Sequence, residues 1–218
     1  MSIQLLLFDL DGTLVDTIRD ITNALNYALK SVGIIEISTD ETKALVGEGI
    51  TKLLEKVLGE QNKKFSEDAK RKFLAFYTDH LIDYSSVYPD VKETLGRLVH
   101  YRKAVISNKR EYQSTEILSR LNLLRNFDFV VGSDTTPERK PSAVPILHVI
   151  QKLAVRPEAT VMIGDSNFDI EAGKKAGVTT VAVTYGYRER KYLSNADYMI
   201  DKFSELPAVL DRISSEFI

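Results

Sequence analysis

An unbroken apolar run, Ile3 to Phe8, stops abruptly at Asp9, and this feature restricts the possible folds more than any other in the chain. The run shows almost no polar alternation, which suits a parallel strand buried on both faces. Comparable runs recur after a long gap, at Ala104–Ile106, Phe127–Val131, Thr160–Ile163 and Thr180–Val183. Helical spacings separate them. Val91, Leu95 and Leu98 follow Asp90, a candidate cap with Glu93 placed for a capping box. Ile117, Leu118 and Leu121 mark a second helix, and Ile146, Leu147, Ile150 and Leu153 a third. A short helix, Ile170 to Ala176, stops at Gly177. Strands alternating with helices predict an α/β fold, a doubly wound, Rossmann-like parallel sheet with helices on both faces.

The rhythm breaks between Asp16 and Pro89, where no strand pattern is present. Ile18, Ile21, Leu25, Ala28, Leu29 and Val32 fall at helical spacing, and Ser38 to Glu41 reads as a capping box. Ile50 to Leu58 is amphipathic, and Ser66 is expected to cap a helix running through Tyr84. The reading is a small α-helical domain, residues 16–85, inserted after the first strand into a core of residues 1–15 and 86–218. The stripe of Phe73, Phe76, Tyr77 and Tyr84 is expected in that domain's own core.

A chain of 218 residues, 44% hydrophobic and 28% charged, can build a full core and a second module. A net charge of -2 provides no bulk attraction to nucleic acid or anionic membrane, so any bound anion needs a local site. The absence of cysteine excludes disulfides, thiolate metal sites and cysteine nucleophiles, and accords with a reducing compartment. No signal peptide and no run long enough to span a membrane is apparent, so a cytoplasmic protein, monomer or homodimer, is expected.

In open parallel sheets, ligands sit outside the carboxyl ends of the strands. The first strand is followed by Asp9-Leu10-Asp11-Gly12-Thr13, the second by Ser107-Asn108-Lys109, and the fourth by Gly164-Asp165-Ser166-Asn167-Phe168-Asp169. A long loop after the third strand ends with Lys140 just before a helix. Each segment alone is an ordinary turn. Together they crowd Asp9, Asp11, Asp165 and Asp169, whose repulsion a hard divalent cation with oxygen ligands relieves. With Lys140 and the Ser107 hydroxyl added, the constellation suits a phosphoryl group, a carboxylate nucleophile and a second carboxyl as acid and base.

These motifs resemble, in order and along the whole chain, those of the haloacid dehalogenase superfamily of phosphohydrolases. The family pattern DxDGTLxD falls at Asp9 to Asp16. The resemblance implies Asp9 as nucleophile and Asp11 as general acid/base. It implies that Thr13, Ser107, Asn108 and Lys140 surround the phosphoryl group. It also implies Mg2+ held by the Asp9 side chain, the Asp11 carbonyl and Asp165, with Asp169 behind Asp165. The helical insert is similar to the family's small cap domain, which closes over the site and excludes water. Within the family the chain is similar to phosphoglycolate phosphatases, on Ile106–Lys109, Gly164–Ile170, Ala172–Gly177, Thr184–Tyr187 and the Leu45-Val46-Gly47-Glu48-Gly49 loop. The usual KPxP is replaced by Lys140-Pro141-Ser142-Ala143, and Arg110 stands where a proline or small residue is usual; no catalytic group is lost.

The expected substrate is therefore a small phosphate monoester, foremost 2-phosphoglycolate, with pyrophosphate, sugar phosphates and nucleoside monophosphates open. A phosphosugar mutase and a receiver-type phosphorylation switch are alternatives; Asp169 and the long insert speak against them. Gly47, Glu48 and Gly49 are expected in a tight interhelical loop able to aim backbone amides at the substrate. Asp16 is expected to mark the exit into the cap and to cap the helix from Ile18. Arg188, Arg190 and Lys191 read as solvated surface.

Overall fold

The computed structural model describes residues 2–216; residues 1 and 217–218, at the outer ends of the expected core domain, lie outside the described residues. Strand β1 (Leu5–Phe8) is fully buried. A two-residue strand, β2 (Val15–Asp16), leads into helices α1 (Ile18–Lys30), α2 (Thr39–Leu45), α3 (Ile50–Leu58) and α4 (Ser66–Asp79). Strand β3 (Ser86–Val87) brings the chain back to α5 (Val91–Arg97). Strands and helices then alternate: β4 (Arg102–Ile106), α6 (Glu111–Arg120), β5 (Phe129–Val131), α7 (Val144–Leu153), β6 (Thr160–Gly164), α8 (Asn167–Ala176) and β7 (Thr179–Val183). The last elements are β8 (Tyr198–Ile200) and α9 (Leu206–Ser215).

Six strands form one parallel sheet in the order β5-β4-β1-β6-β7-β8. The missing alternation in β1 has its cause in two-sided burial. Leu5 and Leu7 share a cluster with Ile146 and Val149 of α7 and Ala172 and Ala176 of α8. Leu6 and Phe8 face the other way, into the cluster of Val91, Leu95, Leu206 and Leu210 from α5 and α9. Each such side chain contributes about 1.5–3 kcal/mol when taken out of water. Strand order reverses beside β1, so the switch point lies between β1 and β6, with Asp9 and Asp165 at their carboxyl ends.

Helices α1 to α4 pack on one another, with Leu25, Leu29, Leu54, Leu58, Phe73 and Tyr77 buried. The aromatic stripe divides. Phe76 stacks between Tyr27 and His80, at 4.5 and 4.1 Å between ring centroids. Tyr84 is half exposed, with the Arg19 guanidinium 3.6 Å above its ring.

Several local expectations are corrected. Ser66 caps nothing: a 3-10 turn, Glu60–Phe65, runs straight into α4, and Ser66 is already helical. That helix ends at Asp79, short of Tyr84, because the Tyr84 and Ser85 amides bond to Asp20 instead of continuing the helical ladder. Asp90 stands at the start of α5 in the left-handed region (φ 64°) and makes no side-chain cap; its carboxylate accepts from Ser204 Oγ at 2.8 Å. Strand β8 and the β2–β3 pair carry no readable pattern because they are three and two residues long. The capping box of Ser38 and Glu41 forms as expected.

The two connections between sheet and helices run side by side. β2 pairs antiparallel with β3, Val15 opposite Val87 and Asp16 opposite Ser86. Asp20 on α1, 1% exposed, fastens them: it accepts from Tyr84 N at 3.1 Å, Ser85 N at 2.8 Å and Ser85 Oγ at 2.6 Å. A buried carboxylate is tolerated where donors saturate it in this way. Asp20→Ala leaves those amides unpaired and is expected to lower unfolding free energy by about 2–4 kcal/mol, read from urea denaturation, with Asp20→Asn losing less.

Candidate active site

The site is built where β1, β4 and β6 end. Asp9 N donates to Ile163 O at 2.9 Å, so the ladder continues to the residue that carries the first carboxylate. The chain then turns sharply at Gly12, φ 88°, where a Cβ would meet Asp165 Oδ2 at 2.3 Å. A side chain there is excluded by both backbone and space.

Lys140 is the hub. Its side chain is 3% exposed, and its Nζ donates to Asp9 Oδ1 at 2.8 Å, Asp169 Oδ1 at 2.6 Å and Ile106 O at 2.6 Å. All three N–H groups are engaged, and the two carboxylates hold its pKa above the usual lysine value against the opposing effect of burial. Asp169 also accepts from Ser166 N at 3.1 Å and Ser166 Oγ at 2.6 Å, at the start of α8. Asp165 accepts from Tyr187 N at 2.6 Å and, more loosely, from Thr13 Oγ1 at 3.5 Å.

One lysine does not balance this cluster. Burial pushes the Asp9 carboxyl up to about 7, with Asp169 and Asp11 adding to the rise and Lys140 opposing it. Burial, then Asp9, then Asp169, push Asp165 well above the carboxylate range. Carboxylate oxygens of Asp9, Asp165 and Asp169 lie within 4.8 Å of one another, all three residues buried. Buried, all-oxygen, negatively charged and only partly bonded, the donor set fits a hard divalent cation such as Mg2+.

The expected residues are distributed as follows. Asp9, Asp11, Ser107, Asn108, Lys140 and Asp165 line one cavity of about 270 Å³. Thr13 is fully buried, and its hydroxyl lies 3.5 Å from Asp165 Oδ1. Asp169 sits behind Lys140. Gly47 and Gly49 line the cavity, at φ 117° and 81°, whereas Glu48 turns away and pairs with Lys56. Gly47 O accepts from Asn108 Nδ2 at 2.7 Å, a direct tie between helical segment and sheet. Asn108 Nδ2 also donates to Lys140 O at 2.9 Å, while its buried Oδ1 has no partner among the described residues.

Four groups beyond the expected set belong to the site. Lys109 Nζ lies 2.8 Å from the Asp11 carboxylate and 2.9 Å from Tyr77 Oη. Tyr77, expected only as core, therefore presents its hydroxyl to the cavity from α4. Tyr187 uses its amide on Asp165, accepts from Thr17 N at 2.8 Å and donates to Asp16 Oδ1 at 3.1 Å. The expected capping of α1 by Asp16 is corrected: the N-cap position is held by Thr17, without a side-chain cap, and Asp16 stands one residue earlier, accepting among the α1 amides only from Ile18 N, at 3.3 Å. Arg188 donates to the carbonyls of Lys43, Ala44 and Val46 at the end of α2, whereas Arg190 and Lys191 are exposed and paired with Asp201 and Glu189. Lys109 and Tyr187 carried a signal, since both stand in motifs at strand ends. The Tyr77 hydroxyl carried none, because a buried aromatic on an apolar stripe reads as packing.

Comparison with known proteins matches this arrangement to a family. A family model described as haloacid dehalogenase-like hydrolase matches residues 6–183. The phosphoglycolate phosphatase of Aquifex aeolicus is 38% identical over 216 residues, covering 98% of this chain and 100% of that one. That of Chromobacterium violaceum is 37% identical over 211 residues, covering 94% and 95%. The crystal structure of a predicted phosphoglycolate phosphatase from Haemophilus somnus matches with a TM-score of 0.88 at 30% identity, over 96% of this chain and 98% of that one.

The unbalanced charge has a measurable consequence. Asp165→Asn keeps an acceptor for Tyr187 N and removes one of three crowded carboxylates. In buffer containing a chelator, the variant is expected to unfold at a Tm higher by roughly 2–4 °C, which corresponds to about 1 kcal/mol for a chain of this size. A lower Tm by calorimetry would contradict the reading of the cluster as repulsive.

Proposed function

The chain belongs to the haloacid dehalogenase-like hydrolases, and from that membership we propose that it hydrolyses 2-phosphoglycolate, or a phosphate monoester of similar size, through a phosphorylated Asp9. The observation that carries the reading is the convergence of Asp9, Asp11, Ser107 and Lys140 on one small cavity, with Asp9 Oδ1 bonded to Lys140 and its second oxygen turned to no protein donor among the described residues. The names of the relatives support the choice of substrate.

The residues divide the work. Asp9 Oδ2 attacks phosphorus, and the bond to the ester oxygen breaks. Asp11 gives its proton to the leaving alkoxide, then takes one from the water that attacks the aspartyl phosphate, which regenerates Asp9 and releases phosphate. Lys140 keeps Asp9 oriented and its first oxygen occupied, so the second is the nucleophile. The Ser107 hydroxyl and nearby amides receive the phosphoryl oxygens. Helices α1 to α4 act as a cap, residues 16–85, that excludes water from the cavity. Asp9 and Asp165, with the Asp11 carbonyl and with Asp169 in support, would hold Mg2+. Bound there, the ion supplies positive charge that lets one anion approach another.

The partner is a small-molecule ester, not nucleic acid, and we place the protein in the cytoplasm as a monomer or homodimer. Among the described residues no helix is long and apolar enough to cross a membrane.

Phosphate release from a panel of esters, with Mg2+ and after chelation, tests this reading. Phosphoglycolate is expected to rank first by kcat/KM, and chelation to abolish turnover reversibly. Asp9→Asn is expected to fold and to lose at least roughly a thousandfold in kcat, as nucleophile variants do. Near-normal turnover in that variant would remove Asp9 from the role.

A further inference from the structure

We infer that Tyr77 on the cap and Lys109 on the core form a brace that sets the position of the Asp11 carboxyl only while the cap is closed. The inference rests on the reading of Asp11 as the acid/base. Lys109 follows β4 through Ser107 and Asn108, and Ser107 Oγ accepts from its backbone amide at 3.1 Å. Its side chain, 6% exposed, crosses to Asp11, 2.8 Å away. The same Nζ lies 2.9 Å from Tyr77 Oη and 4.9 Å from that ring's centroid. Tyr77 is 1% exposed and belongs to α4, which joins the core covalently only through the two linkers.

A buried ammonium needs acceptors around it, and here they come from both sides of the cap–core boundary. Asp11 supplies carboxylate oxygens from the core. Tyr77 supplies a hydroxyl and a ring face from the cap. If the cap moves away, Lys109 loses the second set. A lysine stem is flexible, so nothing else on the cap side then keeps the amine at Asp11. The remaining support of Asp11 is Thr17 Oγ1 at 2.6 Å, in the first linker, where Tyr187 Oη meets Thr17 N. Both holders of the carboxyl thus depend on the cap or its hinge. The carboxyl is oriented for proton transfer only when the cavity is shut, a form of preorganisation that withholds chemistry from an open site. Lys109 and Tyr77 act through Asp11 and are positioning residues.

The test is a double-mutant cycle on Tyr77→Phe and Lys109→Met, with kcat and KM measured on 2-phosphoglycolate and on p-nitrophenyl phosphate. Tyr77→Phe retains the ring and its burial, and is expected to lower kcat roughly fivefold, about the worth of one hydrogen bond, with KM within about twofold. Lys109→Met is expected to lose about ten- to a hundredfold in kcat, and Lys109→Arg to recover part of it. The double variant is expected to be no worse than Lys109→Met, because the two residues act as one unit. Unfolding midpoints from circular dichroism check that all variants are folded. Wild-type kcat in Tyr77→Phe, an effect on KM alone, or multiplicative losses in the double variant would each overturn the brace. Asp11→Asn in the same assay separates the two readings: its full activity would remove the acid/base assignment, while its failure alongside multiplicative losses would remove the brace alone.

Discussion

The carboxyl edge of the sheet depends on one buried ammonium. Lys140 directs its three N–H groups at Asp9, Asp169 and the Ile106 carbonyl, and is itself almost wholly out of water. Without that charge, Asp9 and Asp169 would face each other and Asp165 in a medium that cannot support three carboxylates. With it, two are paired and oriented, and the cluster still carries more negative charge than positive. Asp9 shows the balance: burial, aided by Asp169 and Asp11, pushes its carboxyl to about 7 although Lys140 pulls the other way. The residual charge leaves the cluster a donor set that fits a cation rather than a finished salt bridge.

The second constraint is how the helical segment is held against that edge. Its covalent connections are two short strands, tied by Asp20, whose buried carboxylate collects the Tyr84 and Ser85 amides. Its non-covalent ties come from the core. Arg188 donates to the carbonyls left unpaired at the end of α2, where a positive charge also meets the negative end of the helix dipole. Asn108 reaches Gly47, and Lys109 reaches Tyr77. Each of these core residues also lines the cavity, so the groups that form its wall also tie the helical segment to the sheet. Gly186 completes the arrangement by its lack of a side chain: a Cβ there would meet Asp165 Cβ at 2.2 Å and the Gly12 carbonyl at 2.6 Å. The Thr184–Tyr187 segment thereby packs directly on the β1 turn and brings the Tyr187 amide to Asp165 and its hydroxyl to Thr17, between β2 and α1.

Much of this was legible in the chain. The strands whose residues are buried on both faces announced themselves by lack of alternation, and the groups at their ends were found by looking one residue further. The run of helices between β2 and β3 was legible as an absence of strand pattern. Misreadings arose where one local signal met a stronger distant one. Ser66 and Asp90 have the chemistry of caps, but a preceding 3-10 turn occupies one and Ser204 takes the carboxylate of the other. The predicted extension of α4 to Tyr84 failed because Asp20, 64 residues earlier, competes for the same amide.

The sequence alone determined the order of β1, β4, β5, β6 and β7 and of the helices between them, the helical run after the first strand, and the identity of the carboxylates, lysine and serine at the strand ends. These follow from local periodicity and from the rule that a parallel sheet gathers its strand ends on one side, so they need no knowledge of distance. The tertiary structure decided which oxygen of each carboxylate is already bonded, that Lys109 faces Asp11, and that a core tyrosine presents its hydroxyl to that lysine. Those outcomes depend on ångström-scale separations between residues 32 to 131 positions apart, which close packing sets and periodicity does not encode.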